Sequence, residues 1–185
     1  MVDEKTTVEV PLKQTPSLME LSTALSPWTH IRQIRLAESA IKSQFSALPI
    51  SAAIKQTFDA TTVIDRENKT LVVTTHLTVS AGELLQIQAN FVLDYSIDQS
   101  ALDIAASDQY AEAFGKINGI FNVWPYWREY VQSVSTRAGL PPPTMPLMTG
   151  RSLVAYYAAK EKPLSDQAAQ KHEESGPRPG GAAGL

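Results

Sequence analysis

Few side chains in this chain are suited to chemistry. Its three histidines, His30, His76 and His172, stand at unrelated spacings and give no metal-ligand pattern. There is no cysteine, which removes a disulfide framework, a thiolate metal site, a cysteine nucleophile and thiol redox chemistry together. His76 and Asp94 would become neighbours if their strands paired in a suitable register. Solvated strand faces carry such pairs routinely, so this one is no basis for catalysis. No phosphate-cradling loop, nucleophile elbow or paired-carboxylate motif is present. The expectation is a protein that is not an enzyme, with no metal and no cofactor.

Apolar binding is better supplied. Seven of the fourteen aromatic residues fall between Tyr110 and Tyr130, and Tyr156 and Tyr157 follow. A helical core packed on a sheet would account for most of them. The neighbouring Leu140, Pro141, Pro142, Met145, Leu147 and Met148 lie in an irregular stretch that cannot bury itself fully without leaving backbone groups unpaired. Adaptable apolar side chains beside aromatics suit a promiscuous groove. A self-association surface would use the same composition.

The elements that position these residues can be read from periodicity and breakers. All twelve prolines lie at or before Pro49 or at or after Pro125, and the block between them is rich in Thr and Val in its first half. That block suits a sheet whose ladders need every backbone donor. Ile54, Phe58 and Ile64 share one face of a segment ending at Asp65. Leu71, Val73, Leu77 and Val79 then alternate with polar residues, as do Leu85, Ile87, Ala89, Phe91, Leu93 and Tyr95. The short connections at Arg66–Lys69 and Ser80–Gly82 allow only antiparallel neighbours, so a three-stranded meander results. Between Trp28 and Phe45 the spacing of Trp28, Ile31, Ile34, Ala37 and Ile41 is helical, whereas a strand there needs a bulge near Ala37.

After Ile97 the period becomes helical. Tyr110, Phe114, Ile117, Phe121 and Trp124 form one stripe behind a Ser107 N-cap, with Glu112 and Lys116 paired. Ala111, Gly115 and Gly119 make a second row of small residues. Pro125 suits the first position of a new helix bearing Trp127, Val131, Val134 and Ala138, with Gly139 as its left-handed C-cap. Ser152–Lys160 reads as a last short helix, and Ser17–Leu25 as an isolated amphipathic turn or two.

The 185 residues, 43% hydrophobic and 19% charged, allow one domain with tails. The expected boundaries are a partly disordered extension over 1–27, one domain over 28–160 and a disordered glycine-rich tail over 161–185. A net charge of -3 offers no basic field for nucleic acid. No secretory signal or membrane-spanning run is visible, so the expectation is a cytoplasmic protein without membrane insertion.

Trp124-Pro125-Tyr126-Trp127-Arg128-Glu129-Tyr130, then Ser133 and Arg137, then Leu140-Pro141-Pro142 with Met145-Pro146-Leu147, resembles the SecB family of export chaperones. The likeness extends loosely over 31–157 and is specific over 124–147. It implies an α+β fold: a four-stranded antiparallel sheet with helices on one face, assembled as a dimer of dimers. It also makes Ile31–Leu36 the first strand, against the helical spacing there. The implied activity is that of an ATP-independent holdase for unfolded chains, serving either export through SecA or an aggregation-prone antitoxin of a toxin–antitoxin system. The exposed strand positions Thr74, His76, Thr78, Gln86 and Gln88 depart from the acidic face with which export SecB meets SecA. An oligomeric adaptor whose apolar surface serves only self-assembly is the alternative.

The residues expected to touch clients are Phe121, Trp124, Trp127, Leu140, Met145, Leu147, Met148 and Tyr157. Those expected at subunit contacts of a homotetramer are Ala111, Gly115, Gly119, Trp127, Val131 and Val134.

Overall fold

Turn chemistry delimits the sheet. Asp65 accepts hydrogen bonds from the Asn68 backbone N–H at 3.0 Å and from its Nδ2 at 2.7 Å, while Lys69 takes a left-handed φ of 51°. Gly82 does the same at 58°, where its missing Cβ makes the turn inexpensive. The computed structural model describes residues 16–44, 54–82, 85–105 and 107–161. In it, strands β1 (Thr29–Ser43), β2 (Ile54–Asp65), β3 (Thr70–Ala81) and β4 (Leu85–Ile97) form one antiparallel sheet in the order β1-β4-β3-β2.

Period-two alternation decides the faces. Leu71, Val73, Leu77 and Val79 of β3 are buried with Ile87, Ala89, Phe91, Leu93 and Tyr95 of β4. Thr75 shares that face, and its hydroxyl donates to the Phe91 carbonyl at 3.3 Å. The segment with helical spacing is strand β1, as the family resemblance implied. Its register with β4 shifts between Ile31 and Gln33 and again between Leu36 and Glu38. The second shift falls at Ala37, where the strand reading required a bulge. It puts Glu38 opposite Asn90 on the outer face and Ile41 opposite Ile87 on the inner one. Phe45 lies outside the described residues.

The cover of the inner face is one continuous helix. A short helix, α2 (Leu102–Ala105), precedes α3 (Asp108–Phe114), which passes through a single π-helical turn (Gly115–Gly119) into α4 (Ile120–Arg137). Ser107 occupies the N-cap position and offers its carbonyl, rather than its hydroxyl, to the Tyr110 N–H at 3.0 Å. Lys116 is paired with Glu112, as their spacing predicts. Pro125 corrects the sequence reading: it lies inside α4 instead of starting a helix. The Phe121 carbonyl that it leaves without an N–H partner is tolerated because Phe121 and Pro125 both lie on the exposed side of the helix, where water can serve.

The rows assigned to subunit contacts are also corrected. A Cβ at Gly115 would stand 2.2 Å from Thr62 Oγ1, and one at Gly119 would stand 2.6 Å from Val73 Cγ1. Ala111 is buried in the same row, and Trp127, Val131 and Val134 are buried on α4. Both stripes are therefore spent inside the protomer. Strands of 12 and 13 residues present an inner face large enough to use them.

Helix α1 (Leu18–Leu25) is no isolated turn. Ser17 and Glu20 form a reciprocal capping box, Leu25 and Ser22 are buried, and the helix packs on α3. The Asn118 amide Nδ2 donates to the Ser22 carbonyl at 3.4 Å. Helix α1 thus lies ahead of the expected boundary at Trp28 and packs on α3. At the other end α4 closes in a Schellman turn: Gly139, at φ 69°, donates to the Thr136 carbonyl and Leu140 to that of Ser135, both at 3.0 Å.

A second unit starts at Leu147 and contains α5 (Gly150–Glu161). Thr149 and Ser152 cap it reciprocally, with Ser152 N–H on Thr149 Oγ1 at 3.1 Å and Thr149 N–H on Ser152 Oγ at 2.9 Å. Of the segments expected to be loose, 1–15 and 162–185 lie outside the described residues, while Glu161, the first residue of the expected tail, ends α5.

Candidate functional site

The aromatic cluster is placed by the sheet it covers. Trp124 meets Phe58 of β2 edge to face with ring centroids 6.0 Å apart, and Tyr130 meets Phe91 of β4 at 6.5 Å. Phe114 meets Tyr95 at 5.1 Å. Trp127 stacks on Tyr130 at 6.2 Å and is itself buried. The cluster is chiefly core.

The residues expected to touch clients therefore divide. Trp124, Trp127, Leu140 and Met145 are buried. Trp124 Nε1 donates to the Pro146 carbonyl at 3.0 Å, which pins the proline-rich stretch to the helix. Gln56 Nε2 approaches Met145 Sδ at 3.5 Å, so this methionine packs against β2 instead of lining a free surface. Leu140 is drawn inward by the Schellman turn that precedes it. These four are withdrawn from the candidate surface. Phe121, at 50%, and Leu147, at 78%, are each exposed. Met148 is half-buried, whereas Tyr157, on α5 and edge to face with Tyr156, is buried and is withdrawn with those four.

A larger apolar surface lies where periodicity alone did not place it. Ile31, Ile34, Leu36 and Ile41 of β1 stand opposite Tyr95, Leu93, Phe91 and Ile87 of β4, so all share the inner face. Their β4 partners are buried, yet Ile31, Leu36 and Ile41 are 47%, 43% and 44% exposed. Geometry explains the difference. A helix about 10 Å across spans two strand spacings of about 4.8 Å, and this one is centred over β3. Its side chains reach Phe58 on β2 and Phe91 on β4, and β1 lies one strand beyond. The result is a bare apolar shelf along the edge of the sheet. The signal was present in the sequence: once Ile31–Leu36 is read as an edge strand, its inner-face residues lack cover.

The outer face is polar and carries a hydrogen-bonded row. Asn90 Nδ2 donates to Glu38 Oε2 at 3.1 Å, which turns Asn90 Oδ1 toward His76 Nδ1 at 3.0 Å. Nδ1 is thus the protonated nitrogen of His76. His76 is not beside Asp94, as the sequence reading allowed. Asp94 stands opposite Val72 and meets Arg35 at 3.7 Å, further along β4 than Asn90, the residue opposite His76. Among the described residues, no group of three or more acidic or histidine side chains is placed to hold a metal ion, and no helix is long and apolar enough to cross a membrane.

Among the described residues three groups have shifted pKa values, of which Glu20 is held below the usual carboxylate range by its bonds from the Ser17 backbone N–H and hydroxyl. Burial pushes the Tyr95 phenol up to about 12, opposed by a hydrogen bond from Asn122 Nδ2 at 3.0 Å. The bonds from Asn68 hold Asp65 below the usual carboxylate range.

No family model matches the sequence, and no curated protein does. Among solved structures, the chain is similar to the Mycobacterium tuberculosis SecB-like chaperone Rv1957, solved with a ChAD peptide from the HigA1 antitoxin Rv1956. The TM-score is 0.64 at 21% identity, covering 71% of this chain and 98% of that one. A Streptococcus agalactiae protein of unknown function aligns at a TM-score of 0.34 and 10% identity, covering 64% and 96% of the two chains. The first likeness together with the antiparallel β1-β4-β3-β2 sheet and its one-sided helical cover establishes that this chain has the SecB-like α+β fold.

Proposed function

We propose that this protein is an ATP-independent holdase that keeps unfolded or aggregation-prone chains in apolar contact. The observation that carries this reading is the uncovered inner face of β1, where Ile31, Leu36 and Ile41 stand exposed beside a packed aromatic core. An apolar patch of that kind marks a surface that binds another chain. The peptide-bound state of the Mycobacterium protein, which is similar in fold, supports an antitoxin as the client. The export version would add docking on SecA, and the neutral Thr74, His76, Thr78, Gln86 and Gln88 on the outer face of the two central strands favour it less. Assembly into a homotetramer belongs to the same reading. Phe121, Leu147 and Met148 remain candidates for client contact.

The adaptor reading uses the same shelf for self-assembly alone. Titrating an aggregating client with wild-type protein and with the Ile31→Ser/Leu36→Ser/Ile41→Ser variant separates the two. The holdase reading expects wild type to suppress aggregation near stoichiometry and the variant to lose most of that effect. Wild type that leaves aggregation unchanged at stoichiometric excess, while sedimenting as a stable oligomer, rejects the holdase in favour of the adaptor.

A further inference from the structure

The stretch that follows α4 has almost no backbone donors. Of Pro141-Pro142-Pro143-Thr144-Met145-Pro146, only Thr144 and Met145 carry an N–H, so no ladder can stitch it to the sheet. Among the described residues, its hydrogen bonds to the rest of the chain are the one from Trp124 Nε1 to the Pro146 carbonyl and the one from Gln56 Nε2 to Met145 Sδ. Sulfur is a weak acceptor, so the indole bond is the stronger tie.

The same prolines make the stretch stiff. Each fixes its own φ, and Leu140, Pro141, Pro142 and Met145 each precede a proline, which confines them to extended backbone. Freedom lies just before it, at Gly139, whose φ is 69° and whose absent Cβ would meet nothing within 4 Å. Beneath the stretch is a cavity of about 210 Å³, lined by Ile54, Ala81 and Leu85 of the sheet and by Pro141–Thr144 above them. Ala81 and Leu85 are buried there, while Ile54 is 40% exposed. A void under a cover forfeits the dispersion contacts that close packing would supply. The cover is therefore tied at its far end and lightly seated in its middle.

We propose that Pro141–Pro146 is a strap that turns as one stiff piece about Gly139, held closed by the Trp124–Pro146 hydrogen bond, and that its opening bares Ile54, Ala81 and Leu85. The proposal rests on the holdase reading for what enters: an apolar side chain of a client, which replaces the strap as the cover of that floor. Closed, the strap keeps Ala81 and Leu85 from adding to the bare apolar surface of the free protein. Opening it leaves the sheet intact, because the ladder bonds of β2, β3 and β4 all lie outside the moving piece.

The chain has no cysteine, so a single introduced thiol reports opening. Ala81→Cys places it on the covered floor, where the cavity leaves room for sulfur. Ala89→Cys, on the buried inner face of β4 and outside that cavity, is the control. Reaction with N-ethylmaleimide is followed by mass in each, with and without Trp124→Phe, which removes the indole N–H and keeps a ring against Phe58. Loss of that one bond should speed labelling of Ala81→Cys by about fivefold and leave Ala89→Cys unchanged. Saturating client, as reduced and carboxymethylated α-lactalbumin, should slow labelling of Ala81→Cys severalfold. Should Ala81→Cys fail to fold, Leu85→Cys gives the same measurement on the same floor. Equal acceleration at both positions is general loosening and overturns the strap, as does no acceleration at either. Client that is held while labelling of Ala81→Cys stays the same overturns entry beneath the strap and leaves the holdase standing. Wild type that holds no client rejects both the holdase and client entry.

Discussion

Gly115 lies directly on the Thr62 side chain, where a methyl group built on the glycine would be 2.2 Å from Oγ1 and 3.6 Å from Cβ. The Thr62 hydroxyl is buried there without a hydrogen-bond partner. In an ordinary helix, alanine would be favoured over glycine by about 1 kcal/mol. Here the clash outweighs that gain, and Gly115→Ala should destabilise by about 1 to 3 kcal/mol. In a Thr62→Ala background the oxygen is gone, and the same substitution should become neutral or stabilising by up to about 1 kcal/mol. A double-mutant cycle in urea measures this, and additive effects of the two changes would exclude the proposed contact.

Burial separates two residues of the proline-rich stretch that composition alone treats alike. Met145 is buried against Gln56, whereas Leu147 is exposed. Met145→Ala should cost about 2 to 5 kcal/mol. Leu147→Ser should change stability by less than about 0.5 kcal/mol. Thermal melts of the two variants check the contrast, and equal shifts would contradict it.

Tyr95 makes stability depend on alkaline pH. Its folded pKa is pushed up to about 12 by burial, above the unfolded value near 10. The contribution is therefore complete below pH 10 and is lost as pH rises toward 12, because the unfolded chain releases the proton first. The expected loss over that window is about 2 to 3 kcal/mol. Tyr95→Phe should remove this component, visible as a flatter difference curve when denaturation is followed from pH 9 upward.

Gly139 tests backbone strain without steric conflict. Its φ is 69°, and a Cβ there would meet nothing within 4 Å. Gly139→Ala should cost about 1 kcal/mol through the left-handed conformation alone. Gly139→Asn, better tolerated at that φ, should cost less. A larger loss in the asparagine variant would mean that the turn is constrained by something other than φ.

The sequence by itself determined the strands β2, β3 and β4, their faces and their turns, because period-two alternation and local turn chemistry act over a few residues. It also determined the Glu112–Lys116 pair and the Gly139 cap, which are contacts within one helical turn or one helix end. Only the tertiary structure decided which apolar stripes are spent inside the chain. Gly115 and Gly119 look like an interface row until Thr62 and Val73 are found beneath them, and Met145 looks free until Gln56 is found against it. The same holds for β1. Its helical spacing arises from two bulges, and the exposure of Ile31, Leu36 and Ile41 arises because one helix cannot cover a fourth strand. Periodicity reports which side of an element is apolar, whereas the width and placement of the partner above it decide whether that side is core or surface.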